Sequence, residues 1–176
     1  MIAPHRTRST AWAAVILASI PAAPVRGEPV VIETVLVGHP GNPGEQSRLP
    51  SGDQTFYGSV AYVYAMGRYE VTAGQYTAFL NAVAASDTYG LYDPRMDYDA
   101  DPTRSGCNIK RVGAPGSHAY SVAPDWADRP VNYVSWADAA RFANWLHNGQ
   151  PAGAQDLTTT EDGSYLLDGI AEQDDS

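Results

Sequence analysis

The chain has 176 residues, 44% of them hydrophobic and 18% charged, which suits one domain with a short appendage and excludes a disordered chain or a membrane bundle. Eleven basic against 20 acidic residues give a net charge of −9, which excludes phosphate-backbone binding, and so nucleic acid, as the main task. The single cysteine, Cys107, leaves no internal disulfide and no all-cysteine metal site.

Residues 1–27 read as a secretory leader rather than as fold. His5, Arg6 and Arg8 form a basic start, Ala11 to Ile20 is an apolar run too short to span a bilayer, and Val25 and Gly27 are small residues at −3 and −1 of a cut after Gly27. Removing the leader takes away three Arg and no acid, so the charge moves from −9 to −12. The expectation is a secreted or periplasmic protein with no membrane span in its mature part.

Residues 29–37, Pro-Val-Val-Ile-Glu-Thr-Val-Leu-Val, predict a strand, followed by a Gly- and Pro-rich loop to about residue 58. The aromatic and β-branched run from Val60 to Val71 predicts a strand or a bent pair, with Gly67 at a bulge or close approach. Thr72-Ala-Gly-Gln75 is a capping box, and Tyr76, Phe79, Leu80 and Val83 follow at helical spacing, so a helix is expected over 73–84. Residues 86–106 read as loop. Asn108–Val112 and His118–Val122, joined by Gly113-Ala-Pro-Gly-Ser117, predict a hairpin.

Ser135-Trp-Ala-Asp138 is a second capping box and opens a helix over 136–147, with Asn148-Gly149 as its stop. On a wheel, Phe142, Leu146, Ala139, Ala143, Trp136 and Ala140 fall within a ~160° arc that also holds His147, while Trp145 lies about 60° beyond it. Trp136 is expected under the first turn and His147 half-buried at the last. Beyond Pro151 the pattern allows a weak strand pair, 156–160 with 164–167. Residues 171–176, Ala-Glu-Gln-Asp-Asp-Ser, read as a disordered acidic tail, which leaves 28–170 as the domain.

Two segments are more specific than periodicity. Gly67-Arg-Tyr-Glu-Val-Thr-Ala-Gly-Gln-Tyr-Thr-Ala-Phe-Leu-Asn81 and Arg129-Pro-Val-Asn-Tyr-Val-Ser-Trp-Ala-Asp-Ala-Ala-Arg-Phe-Ala-Asn-Trp-Leu146, in this order, resemble the front half of the formylglycine-generating enzyme family, also called the sulfatase-modifying factor family. The leading strand and the stretch from Asn81 to Tyr92 are similar to its secreted bacterial branch. The resemblance spans residues 33–168 and about half of the family's domain. It implies an irregular α+β fold related to C-type lectins, incomplete at its C-terminus, and, in complete members, a copper-dependent oxidation of a sulfatase cysteine to formylglycine with calcium-binding loops alongside. The family's copper(I) site uses two cysteines in the C-terminal half, beyond a Leu-Pro-x-Glu-x-Glu-Trp segment. None of these occurs here, so the expectation is no catalytic residue, no cofactor and no oxidase activity in this chain. The alternative is a non-catalytic exported module that binds a protein or a glycan on the same scaffold.

Other candidates are weaker. Cys107 is placed on a hairpin edge and expected to be an inert free thiol or an intermolecular crosslink. Asp97-Tyr-Asp-Ala-Asp101 has the spacing that starts a calcium loop, making Asp97, Asp99 and Asp101 calcium candidates. Pro102 and Asn108 stand where an EF-hand needs Gly and Glu, so a solvated acidic loop is the better reading. Trp126, Trp145 and Tyr92 are candidate binding aromatics, placed in loops or off the main stripe. They would otherwise pack against the missing half of the domain, and that exposed surface predicts low stability or self-association.

Overall fold

The computed structural model describes residues 28–48, 54–97 and 106–170. The leader over 1–27, the tail over 171–176, and Asp99 and Asp101 lie outside the described residues. Among the described residues two α-helices, a short 3-10 helix (Pro94–Met96) and three antiparallel two-stranded ribbons make up a small α+β fold. Strand β1 (Thr34–Val37) pairs with β4 (Tyr64–Gly67), Thr34 opposite Gly67. Strand β2 (Glu45–Arg48) pairs with β3 (Gln54–Tyr57), so the segment read as loop to residue 58 contains a hairpin. Strand β5 (Ile109–Val112) pairs with β6 (Ala119–Val122), as the sequence predicts. Its turn needs glycine: at Gly113, with φ of 88°, a Cβ would sit 2.4 Å from the Ser117 carbonyl oxygen.

Helix α1 (Ala73–Val83) and helix α2 (Trp136–His147) both start on complete capping boxes. Thr72 Oγ1 accepts from the Gln75 amide at 3.2 Å and Gln75 Oε1 from the Thr72 amide at 2.9 Å. Ser135 Oγ and Asp138 Oδ2 exchange the same pair of bonds, each at 3.1 Å. The two entry segments also lie side by side. The Ala73 amide donates to the Arg129 carbonyl, the Gly74 amide to Ala127 and the Val131 amide to Val71, with Thr72 bridged to Pro130. Gly74 permits this approach, since a Cβ there would meet the Ala127 oxygen at 3.0 Å.

The core is aromatic. Phe79 of α1 sits between Phe142 and Trp145 of α2, at ring distances of 5.4 and 5.3 Å, with Tyr76 at 5.5 Å. Leu80, Val83, Leu91, Met96, Cys107, Ile109 and Tyr120 close around it. Three buried phenols tie loops to this centre: Tyr76 donates to the Leu91 carbonyl, Tyr92 to Ile109 and Tyr120 to Ala84. Burial pushes all three phenols up, Tyr120 to about 12.

The wheel reading of α2 needs correction. Trp145, placed off the stripe, is 3% exposed and donates Nε1 to the Pro151 carbonyl at 2.9 Å. Trp136, expected under the first turn, is 61% exposed, and His147 and Ala139 are exposed as well. The reason is that the buried side of α2 lies elsewhere on the wheel. Phe142 and Trp145 face α1 with Asp138 between them, and Arg141 and Asn144 extend the buried side towards residues 155–170. The segment that covers Arg141 and Asn144, residues 155–170, forms turns and no strand, against the expected pair over 156–167.

Candidate functional site

The polar side of α2 borders a cavity of about 540 Å3, lined among others by Tyr89, Arg95, Tyr133, Asp138 and Arg141. Helical spacing places Asp138, Arg141 and Asn144 along one side of α2. Arg141 is the largest of the fully buried side chains. Its Nε donates to Glu161 Oε1 at 2.7 Å and its Nη2 to Oε2 at 3.0 Å, and Nη2 also donates to the Ile170 carbonyl at 2.7 Å. The guanidinium lies 4.2 Å over the Tyr89 ring. Glu161 accepts further bonds from the Thr160 hydroxyl and the Gly169 amide. Burial by itself would raise the Glu161 carboxyl, but the bonds from Arg141, Gly169 and Thr160 outweigh it and hold it below its ordinary value.

Arg95, at the outer wall, forms a bidentate pair with Asp93 and lies 4.8 Å over the Tyr133 ring. Both guanidiniums of the cavity therefore carry a carboxylate partner. Among the described residues its lining holds neither cysteine nor histidine, and the Ser135 hydroxyl is engaged as a helix cap. Such a cavity offers ring faces and hydrogen bonds but no nucleophile beside a base. A second cavity, about 460 Å3, lies where the chain enters α1, beside Glu33, Tyr69, Glu70, Gln75 and Asp128.

The residues singled out in sequence do not converge on either cavity as a set. Cys107 is 2% exposed in the core at the entry to β5, not on a hairpin edge. Tyr92 and Trp145 are buried as core residues, so the placement of both as loose aromatics is corrected. Tyr92 does border the larger cavity. Trp126 keeps part of its surface, with the Arg129 guanidinium 4.2 Å over its ring. Asp97 is half-buried, and the other two calcium candidates lie outside the described residues. Among the described residues no group of three or more His, Cys, Asp or Glu could hold a metal ion, and no helix is long and apolar enough to cross a membrane.

Sequence reasoning missed the pair of Arg141 with Glu161. A signal was present: Asp138, Arg141, Asn144 and Asn148 recur at helical spacing, a polar stripe that charge alone assigns to solvent. Gln150 was missed as well. Its side-chain amide pairs with both backbone groups of Val30, at 2.8 and 2.7 Å, as a strand neighbour would.

The sulfatase-modifying factor enzyme 1-like domain matches residues 45–172, and the chain belongs to that family. No curated protein and no solved structure matches it. Both motif segments fall inside the match, and in the fold they are the two helix entries that bond to each other.

Proposed function

We propose that this chain is an exported scaffold part of a formylglycine-generating-type domain and has no oxidase activity by itself. The family membership supports the scaffold, and the basic and apolar residues 1–27 support export to the periplasm or beyond. The short ribbons and long loops around two capped helices fit a relation to C-type lectins. The observation that carries inactivity is Cys107. Copper(I) held between two thiolates supplies the O2 chemistry of the family, and this chain has one thiol, shut in the core beside Tyr76 and Tyr92. These residues do not fit the metal: a soft two-coordinate ion needs a second sulfur and an open approach for substrate. Losing one of two sulfur ligands raises the dissociation constant tenfold for each ~1.4 kcal/mol that the bond contributes.

The test is direct. The purified exported chain, its mass starting at Glu28, is given copper(I), O2 and a sulfatase-derived cysteine peptide. Formylglycine should not exceed the buffer control, and Cys107→Ser should behave identically. Formylglycine that appears with the native chain and disappears with Cys107→Ser would refute the reading.

A further inference from the structure

Residues 155–170 are built with their polar side inward. Gln155, Thr159, Thr160 and Glu161 are buried. They hydrogen-bond to the Tyr89 amide, among themselves and to Arg141. Asn144 and Asn148 of the α2 end donate to four carbonyls of the same segment, those of Thr160, Tyr165, Thr159 and Asp162. Of its larger apolar side chains only Leu167 is buried, and the others face outward. Leu166 is 71% exposed, and Tyr165, Leu157 and Ile170 are exposed too. Trp136 extends this face, its ring edge-on to Tyr165 at 5.8 Å. Trp and Tyr held rigidly at a surface are the residue types that anchor protein interfaces.

The segment that carries Tyr165 and Leu166 has charges of one sign only: residues 155–170 contain Asp156, Glu161, Asp162 and Asp168 and no Lys or Arg. Asp156, Asp162 and Asp168 are exposed and form no ion pair among the described residues. A second copy would bring the same acids against themselves, and a nucleic acid would be repelled. An apolar face rimmed by uncompensated carboxylates is complementary to apolar side chains flanked by cations.

We propose that the face formed by Trp136, Tyr165 and Leu166 docks a basic, apolar segment of a partner polypeptide, in which Lys or Arg alternates with Leu or aromatic residues. The docking stands whether or not the chain oxidises cysteine, since it uses neither Cys107 nor a metal. Apolar contact supplies the hold, and Asp162 and Asp168 supply attraction that salt screens.

The experiment titrates the full chain into a labelled short peptide of alternating Lys and Leu, with Glu–Leu and Lys–Ser peptides as controls. Only the Lys–Leu peptide should bind, and more weakly as salt rises. Leu166→Ser should weaken it by about tenfold or more. Asp162→Asn with Asp168→Asn should lower affinity and remove most of the salt dependence. Asn keeps the Asp162 turn and tolerates the φ of 45° at position 168. Leu36→Ser, at an exposed apolar position on β1, should change nothing, and circular dichroism should show every variant folded. Equal binding of the Glu–Leu peptide would overturn the proposal, as would full affinity in Leu166→Ser or an equal loss in Leu36→Ser. A dimer in sedimentation that Leu166→Ser dissolves would assign the face to a second copy instead and equally overturn it.

Discussion

Arg141 shows how one side chain organises distant chain. From the middle of α2 it holds the Glu161 carboxylate in a fork, bonds the Ile170 carbonyl and covers the Tyr89 ring, all away from water. A buried pair of this kind contributes little against a well-packed apolar substitute, but removing one partner strands the other charge. Arg141→Met should therefore cost about 3–5 kcal/mol in chemical denaturation. The double change with Glu161→Gln should cost less than the sum of the two single ones. The pH dependence follows from Glu161, whose folded value lies below its ordinary 4.5. Its contribution is complete above that ordinary value and is lost as pH falls through the lower folded one. Melting temperatures on the acid side should accordingly fall less steeply in Glu161→Gln than in the native chain.

At the scale of elements, α2 carries two unlike faces, and the difference is measurable. Trp145 fills the space against Phe79 and Phe142, so Trp145→Ala should cost about 3–5 kcal/mol. Trp136→Ala, at an exposed position, should stay within about 0.5 kcal/mol. The capping boxes sit between these extremes: Ser135→Ala should cost about 1 kcal/mol by freeing the Asp138 amide. If the two tryptophan variants melted alike, the packing described for α2 would be wrong. Both helices, with their caps and ends, are legible in the sequence because a capping box and an i, i+3, i+4 pattern are local. The orientation of α2 is not legible from one wheel. The arc around Ala139 and Ala143 has little side chain to bury, and the side turned inward is the one that carries Phe142, Trp145, Arg141 and Asn144.

For the whole molecule, stability is distributed unevenly. The centre joins α1, α2 and the β5–β6 ribbon. Asn81 bonds both backbone groups of Tyr120 at 2.9 Å, and the turn of the ribbon donates two amides to the Ala85 carbonyl. The β1–β4 ribbon has Val35, Leu36 and Met66 exposed, and a two-stranded ribbon is marginal without a packed face. Hydrogen exchange should find the β1 and β4 amides exchanging orders of magnitude faster than those in the centre of α1, since local opening of the ribbon leaves the core intact. Equal protection would show that the ribbon belongs to the cooperative core.

The sequence by itself determined the two helices, their caps, the β5–β6 hairpin and the family, because each rests on residues close together in the chain or on a specific ordered motif. Tertiary structure alone decided that Trp145 is core and Trp136 is surface, that Cys107 is closed off, and that Arg141 and Asn144 face inward. The reason is physical. Whether a polar side chain is buried depends on whether another segment supplies its hydrogen bonds. For α2 that segment is residues 155–170, whose irregular turns have no periodicity to read.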